Sequence, residues 1–246
     1  KGVSCPALVR LESNGTLDAT FTPTGVVSCT AIALQADDFV VAAINDNAGI
    51  DPCSVTRFET DATVDGTFTP FAFNAYATTS LSLDATERIL FCHGVLERLE
   101  TDGTLDAAFL PVFDADAITT LPQADGTIFV AGDFTTANGN TRLRIALLED
   151  DGTSNVWILV QGMDDIIMQL KTLLDGNILA VGNFTFAGDT FSTRVAIIDI
   201  AEEQALPLYE SLVRSAVVTS TVSQADADTA AQTLADNAAA TALPCV

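Results

Sequence analysis

The stretch "LETDGTLDAAFLP", from Leu99 to Pro111, occurs three times in this chain with few changes. The earlier copies are "LESNGTLDATFTP" from Leu11 to Pro23 and "FETDATVDGTFTP" from Phe58 to Pro70. A fourth, degenerate copy lies within "LLEDDGTSNVWIL". Aligned on one residue, the copies are 47, 41 and 49 residues apart, and the aligned residues are Asp18, Asp65, Asp106 and Asn155. Such a period indicates a repeat architecture.

The copies agree at three more positions. Three residues before the aspartate stand Gly15, Ala62, Gly103 and Gly152. Three residues after it stand Phe21, Phe68, Phe109 and Ile158. Eight residues before it stand Arg10, Arg57, Arg98 and Leu147. The second copy therefore departs at its glycine, and the fourth departs at its arginine, aspartate and phenylalanine.

A second repeated segment lies between these copies. "DGTIFVAGDFTTANGNTR", from Asp125 to Arg142, matches "DGNILAVGNFTFAGDTFSTR", from Asp175 to Arg194, and their first glycines, Gly126 and Gly176, are 50 residues apart. Degraded versions begin near Ala36 and Ala85, so this segment also follows the period.

Each period holds about four short strand candidates rich in β-branched and aromatic residues. In the third period they are "AITTLPQ" from Ala117, "TIFVAGDF" from Thr127, "LRIALLE" from Leu143 and "TSNVWIL" from Thr153. Four antiparallel strands in about 45 residues match one propeller blade. We predict an all-β fold over residues 1–208, a β-propeller of four to five four-stranded blades. An open, solenoid-like stack of the same sheets is the alternative.

Residues 209–246 differ in composition and are predicted to form a connector or assembly segment. A strand is predicted over Ser215 to Val222, where it could complete a fifth blade with the N-terminal strands. An alanine-rich short C-terminal α-helix is predicted to begin at Ser223 and to stop at Pro244. Cys245 could form a disulfide with Cys5 or with another subunit.

The pattern "RLxxDGTLDxxFxP" followed by "AIxLQxDGxIxVAGxFT" resembles the delta-sixty repeat family, over about Leu8 to Ile200. That resemblance implies β-propeller modules of extracellular bacterial and phage structural proteins. The segment "SQADAD" is similar to alanine-rich connectors of surface and fibre proteins. We therefore expect a non-enzymatic structural module of a virion (phage tail, fibre or capsid decoration) or of an extracellular surface assembly. The alternatives are a propeller adhesin that binds a host glycan or receptor and, third, an enzyme.

The repeated residues are predicted to be structural rather than catalytic. The aspartate can accept hydrogen bonds from backbone amides in a turn, and the glycine allows a positive φ. The phenylalanine would anchor the segment in the core between blades, and the arginine is placed to pair with an acid. Identical aspartates spread round a ring cannot converge on one substrate.

Charge limits the class of partner. The chain has 10 basic and 33 acidic residues, a formal net charge of −23. Such a surface would repel nucleic acid and anionic membranes. The sequence contains no apolar run of about twenty residues, so no membrane span is predicted. The expected partners are other structural subunits in a homo-oligomer or larger assembly.

No cofactor is expected, and the metal candidates are few. "NDNAGID" offers Asp46, Asn47 and Asp51 as calcium ligands, but it lacks EF-hand spacing, and a plain acidic loop is the alternative. His93 is the only histidine, and no pair of cysteines is spaced as CxxC, so a zinc cluster is not predicted. The five cysteines could pair or remain buried thiols. Trp157 is predicted to pack in the core rather than to serve as a sugar platform.

Overall fold

The computed structural model describes residues 7–45, 53–73, 79–155, 162–187, 190–192 and 194–199. These residues form seventeen β-strands, and none of them is helical, which confirms the predicted all-β class. The strands are β1 (Ser28–Leu34), β2 (Val40–Asn45), β3 (Cys53–Phe58), β4 (Phe71–Phe73), β5 (Ser80–Leu83), β6 (Ile89–Cys92), β7 (Leu96–Leu99), β8 (Ala117–Pro122), β9 (Ile128–Gly132), β10 (Thr136–Ala137), β11 (Asn140–Thr141), β12 (Ile145–Leu148), β13 (Ile167–Thr172), β14 (Ile178–Gly182), β15 (Phe186–Ala187), β16 (Thr190–Phe191) and β17 (Val195–Ile198).

The strands form six antiparallel sheets, of which four are larger, one for each period of the sequence, and two are two-stranded hairpins. The strand orders of the larger sheets are β1-β2-β3-β4, β5-β6-β7, β8-β9-β12 and β13-β14-β17. The first strands of successive sheets lie against one another, β1 against β5, β5 against β8 and β8 against β13. The sheets are therefore arranged in series around their first strands, as blades are.

Both faces of β9 are buried, because its sheet packs between two neighbours. Alternate side chains of β9 show this: Ile128 and Val130 join the apolar layer shared with the preceding blade, and Phe129 and Ala131 join the layer shared with the following blade. All four side chains are at most 2% exposed. Strands buried on both faces need continuous apolar runs, which is what "TIFVAG" supplies.

In four copies the residues on either side of the tight turn form a single antiparallel bridge, and the bridged pairs are Leu11–Leu17, Phe58–Val64, Leu99–Leu105 and Leu148–Ser154. The first of these copies lies before β1. The intervening tight turn carries the repeated glycine, which explains why so few residues remain for pairing.

Two small hairpins were missed by the sequence prediction. β10 pairs with β11, and β15 pairs with β16, each inserted between the second and third strands of its blade. The hairpins also correct the repeat alignment at its end. Arg194 is equivalent to Arg144, 50 residues earlier, and not to Arg142. Arg144 and Arg194 both have φ near +70°. Each donates its backbone N–H to a phenylalanine carbonyl of its own segment, that of Phe134 or Phe184.

The predicted C-terminal strand and helix, like the proposed partner cysteines Cys5 and Cys245, lie outside the described residues. Within the described part of the chain, no helix is long and apolar enough to cross a membrane.

Candidate functional site

The repeated aspartates fix a turn at the outer side of each blade. Asp18 Oδ1 accepts hydrogen bonds from the backbone N–H of Thr20 (2.8 Å) and from its hydroxyl (2.6 Å). Asp65 accepts the same pair of bonds from Thr67, at 2.8 and 2.7 Å. The bonds from Thr20 are the main cause that lowers the pKa of Asp18 to about 2, with Arg10 adding to the effect. The carboxylates are therefore held ionised as turn acceptors.

Each aspartate also pairs with the arginine eight residues before it. Arg10 Nε lies 2.7 Å from Asp18 Oδ2, and Arg57 Nε lies 2.6 Å from Asp65 Oδ2. Arg98 donates to Asp106 Oδ2 from both Nε, at 2.9 Å, and Nη2, at 2.7 Å. In Asp65 and Asp106 burial raises the carboxyl pKa, but hydrogen bonds from the turn and from the arginine outweigh it, so that both pKa values lie below the ordinary range.

The other arm of each guanidinium reaches the following blade. Arg10 Nη1 donates to the carbonyl of Thr60 at 2.6 Å, and Arg57 Nη1 donates to that of Thr101 at 2.9 Å. Arg98 Nη1 donates to the carbonyl of Asp150 at 2.6 Å. All three acceptors lie in the tight turn before the repeated glycine position of the next copy. One planar fork thus binds two blades at once.

The repeated phenylalanine packs in the same place. The guanidinium carbons of Arg10, Arg57 and Arg98 lie 4.9, 5.0 and 4.3 Å from the ring centroids of Phe21, Phe68 and Phe109. A cation over an aromatic face is attracted by the ring. We call the arginine, aspartate and phenylalanine of one copy, together with the turn of the next copy, the interblade joint.

The glycine position completes the joint because it faces the phenylalanine of the preceding copy. Gly103 has φ +85°, and a Cβ there would lie 2.2 Å from the carbonyl oxygen of Thr69 and 2.8 Å from the Phe68 ring. Gly152, with φ +84°, would place a Cβ 3.0 Å from the ring of Phe109. At Gly15, which has φ +82°, nothing lies within 4 Å. Ala62 holds the position in the second copy at φ +70°.

One acid of the fourth copy links two arginines of the second blade. The carboxylate of Asp150 pairs with Arg88 and, at 3.1 Å, with Arg98. Arg88 also donates to Asp84 Oδ2 at 2.7 Å. These partners are up to 62 residues apart in the chain, so no sequence spacing indicated them.

Two further aspartates hold the small hairpins. Asp114 accepts hydrogen bonds from the backbone N–H groups of Thr135 and Thr136, both at 2.7 Å. Asp164 accepts the equivalent bonds from Thr185 and Phe186, both at 2.8 Å. The pKa of Asp114 is lowered to about 2, chiefly by the hydroxyl of Thr135 and the amide of Thr136.

His93 lies at the end of β6 against aromatic rings. Its ring stacks on Phe91 with centroids 5.2 Å apart and contacts Phe73 at 4.8 Å. Its Nε2 lies 2.8 Å from Glu97 Oε2, so the only histidine is held by a carboxylate. Cys92 beside it is fully buried. The pair of His93 and Glu97 lies within one blade and has no counterpart in the other copies of the repeat.

Arg142 is the one described arginine that is buried without a carboxylate partner; it is 8% exposed, and its Nε has no hydrogen-bond partner. Arg194, in contrast, is exposed. The sequence indicated nothing special at Arg142, because a repeat alignment that placed it opposite Arg194 concealed its difference from the next copy.

The predicted calcium candidates Asp46, Asn47 and Asp51 lie outside the described residues, as does Trp157. Within the described ranges, no group of three or more histidine, cysteine, aspartate or glutamate side chains is arranged to hold a metal ion.

The fold is a β-propeller built from sequence repeats. A family model described as "Domain of unknown function (DUF5122) beta-propeller" matches residues 1–21 and 123–154, which include most of the first copy of the repeat and the segment from Asp125 to Arg142. No curated protein matches the chain.

Several solved structures are similar to the chain. Virginiamycin B lyase from Staphylococcus aureus is 14% identical, with a TM-score of 0.47 over 70% of this chain and 53% of the lyase. A protein of unknown function from Bacteroides caccae is 14% identical, with a TM-score of 0.43 over 77% of this chain and 69% of that one. An extracellular domain from B. thetaiotaomicron is 11% identical, with a TM-score of 0.44 over 78% of this chain and 27% of that one. The chain spans about half the length of the lyase.

The prediction that the chain is not an enzyme is corrected by this comparison. Virginiamycin B lyase is by its name an enzyme, and its structure is among those similar to the chain. The prediction rested on the repeated aspartates, which serve as turn acceptors. That reasoning removes those residues as catalysts, but it says nothing about residues that occur once, such as His93, and so it does not exclude catalysis.

Proposed function

We propose that the chain is a structural module of a virion (phage tail, fibre or capsid decoration) or of an extracellular surface assembly. The observation that carries this proposal is the interblade joint, which recurs at three successive blade boundaries. Each joint combines a charge-assisted pair with a directional bond to the next blade, and such contacts resist sliding of packed sheets better than apolar contact alone. The likeness of the two repeated segments to delta-sixty repeats supports the same proposal.

Self-association is part of the proposal. The residue just before each repeated aspartate is apolar and exposed in three copies, with Leu17 57%, Val64 52% and Leu105 44% exposed. These side chains lie on the bridged outer edge of their blades, where the partner we propose is a second copy of the chain. Exposed apolar groups that repeat along a rim are typical of subunit contacts.

The rim contact is tested by replacing all three residues with serine and measuring the mass by light scattering. We expect the wild type to be oligomeric and the triple variant to be monomeric. Leu174, which is fully exposed and lies off this edge, is the control: Leu174→Ser should leave the mass unchanged. A monomeric wild type at micromolar concentration would contradict the proposal.

The location of the chain is tested by immunogold labelling of whole producing cells and of density-purified particles. Gold on cell surfaces or on particles is the expected result. Gold confined to the cytosol of sectioned cells would contradict a virion or extracellular role.

A second candidate is a glycan- or receptor-binding propeller. The hairpins β10–β11 and β15–β16 favour it, because they present exposed side chains at the same end of neighbouring blades. Asn140 and Thr141 are exposed on the first hairpin, and Phe186 is 44% exposed on the second. Polar groups beside an exposed ring suit a sugar. Binding of the intact chain on a glycan array would support this candidate.

A further inference from the structure

The first strand of the first blade, β1, has an exposed apolar face. Ile32 and Leu34, two residues apart, lie on this face and are 47% and 63% exposed. In the third and fourth blades the position of Ile32 is held by Thr120 and Leu170, which pair with the equivalent residues of their second strands. Thr120 and Leu170 are each 6% exposed, because the preceding blade covers them. The exposure of Ile32 therefore marks a place where a covering strand is expected.

The N-terminal copy of the repeat covers a neighbouring part of the same side of the blade. Leu8 and Phe21 pack in one core cluster with Ala42, which belongs to β2. Residues 7–11 correspond to part of β3 in the next copy, and β3 pairs on both edges, with β2 and β4. Within the described part of the chain, the only β-pairing of residues 7–11 is the bridge Leu11–Leu17. Two strands placed there would cover Ile32 and pair with residues 7–11 at once.

The sequence repeats a blade turn once more beyond the last described residue. The tripeptide "QAD" stands at residues 35–37, 123–125 and 224–226. In the first and third blades it links the first strand to the second: the glutamine N–H donates to the carbonyl of Phe39 at 2.9 Å or of Thr127 at 2.8 Å. The aspartate Oδ1 accepts the N–H of that same residue, at 3.2 or 3.0 Å. The third tripeptide begins 101 positions after the second, which is about two periods of the repeat.

We propose that residues 217–223 form the first strand of a fifth blade and cover the exposed face of β1. They precede the third "QAD" as β1 precedes the first, and they are rich in valine and threonine, which favour strands. They belong to the 47 residues that follow Asp199, which are enough for two strands and their turn. This alignment places a turn at residues 224–226, where composition alone predicted the start of a helix. The assignment holds for either candidate function.

The register of the added strand follows from another blade boundary. Ser82 lies two residues before the turn of the second blade, and Thr120 lies three residues before that of the third. Their hydroxyl oxygens are 2.7 Å apart. The same offsets place Val222 against Ile32, so that an apolar pair stands where the other boundary has a polar one. A tethered segment has a higher effective concentration than a second copy at micromolar concentration, so the chain's own residues are the assigned occupant.

Disulfide cross-linking in the full chain tests this pair. Serine first replaces three cysteines that could compete: Cys5, Cys29 and Cys245. Ile32→Cys with Val222→Cys, oxidised with copper phenanthroline, should then form a disulfide within one chain. The matched control is Ile32→Cys with Thr221→Cys, because successive side chains of a strand point to opposite faces. We expect the control pair to cross-link at least about tenfold more slowly, since disulfide geometry requires side chains that point toward each other.

Non-reducing mass spectrometry with peptide mapping distinguishes the outcomes. A disulfide within a monomer at Val222→Cys, with the slow control, supports the fifth blade. A disulfide between two chains would assign the segment to a neighbouring copy and overturn the proposal. Equal rates in the two pairs, or no disulfide at Val222→Cys, would overturn it as well.

Thermal unfolding tests the covering of Ile32 without added cysteines. Ile32→Ser should lower the melting temperature by about 2 °C or more, because it removes buried apolar surface. Leu174→Ser, at a fully exposed position, should leave it unchanged. Ile32→Ser and Val222→Ser combined should cost less than the sum of the single changes, because both remove one contact. Strictly additive losses, or no loss in Ile32→Ser, would contradict the fifth blade.

Discussion

Arg98 and Asp106 are eight residues apart in the chain, and Arg98 Nη2 lies 2.7 Å from Asp106 Oδ2. The same guanidinium donates to the carbonyl of Asp150 in the next blade and lies over the ring of Phe109. Its side chain is only 4% exposed. One short stretch of sequence thus determines both the closing of its own turn and the attachment of the following blade.

Replacing the arginine of each joint by methionine should destabilise the chain in an order set by burial. The arginine side chains of the Arg98, Arg57 and Arg10 pairs are 4%, 13% and 39% exposed. Removing one partner of a buried pair costs about 3–5 kcal/mol, whereas exposed pairs contribute about 0–1 kcal/mol. We therefore expect Arg98→Met to cost the most, Arg57→Met less and Arg10→Met least in urea unfolding. Equal losses at all three positions would contradict a role that depends on burial.

Gly103→Ala should lower the free energy of unfolding more than Gly15→Ala does, although both glycines have nearly the same positive φ. An alanine in this conformation costs about 1–2 kcal/mol at either site. At Gly103 alone the added Cβ would also meet the backbone of Thr69 and the ring of Phe68. The difference in the free energy of unfolding between the two variants reports the contact with the preceding blade. Equal losses in the two variants would mean that the turn at Gly103 does not contact the preceding blade.

The joint could be predicted in part because its members recur at fixed spacing. The repeated positions around Asp65, Asp106 and their equivalents indicated a turn acceptor, a positive φ and an interblade anchor, and the arginine was expected to pair with an acid. The bond from Arg98 to Asp150 could not be predicted, because the two residues are 52 positions apart and meet only when two blades pack. The same holds for the pair of Arg88 with Asp150.

The small hairpins escaped prediction for a different reason. Each strand of β10–β11 and β15–β16 has only two residues, too few for a periodic pattern. The stabilising contact comes instead from a distant carboxylate, that of Asp114 or Asp164, which lies 21 residues before the first amide it binds. Arg142 was obscured for a third reason. The two copies of the second repeated segment were matched at their last residues, Arg142 and Arg194, although equivalent residues of these copies are 50 positions apart.

Acid should destabilise the chain between about pH 4 and pH 2. The pKa of Asp18 and that of Asp114 are each lowered to about 2 in the folded chain. A lowered folded-state pKa adds stability above the unfolded-state pKa of about 3.9, and this stability is lost as pH falls toward the folded-state value. Melting temperatures from pH 6 to pH 2, in 0.5 M salt to screen the net charge, provide the measurement.

Asp114→Asn is the matched variant for that series. It removes one carboxylate with a lowered pKa while retaining an acceptor oxygen for the hairpin amides. The variant should be less stable at pH 6 and should lose less stability on acidification than the wild type. If the melting temperature of Asp114→Asn fell with pH as steeply as that of the wild type, Asp114 would not be among the groups responsible for acid destabilisation.

Cys92 should resist alkylation until the chain unfolds. It is fully buried, and burial raises the pKa of its thiol, so little of the reactive thiolate forms. Cys29 is half-buried, and burial raises its pKa as well, but its partial exposure should let it react sooner. Mass spectrometry of peptides after timed iodoacetamide treatment at pH 8, with and without urea, gives both rates. Equal rates in the native chain would contradict the described packing.

The central claim is that the repeated motif joins each blade to the next, and a double-mutant cycle between Phe109 and Gly152 tests it most directly. A Cβ at Gly152 would meet the Phe109 ring at 3.0 Å, and the two residues belong to successive copies. We predict that Gly152→Ala costs clearly more in the wild type than in Phe109→Ala, where the strain of about 1–2 kcal/mol from the positive φ and a contact with Pro111 at 3.3 Å remain. A coupling energy of about 0.5–3 kcal/mol is expected for residues in contact. The same cost in both backgrounds would contradict the interblade joint.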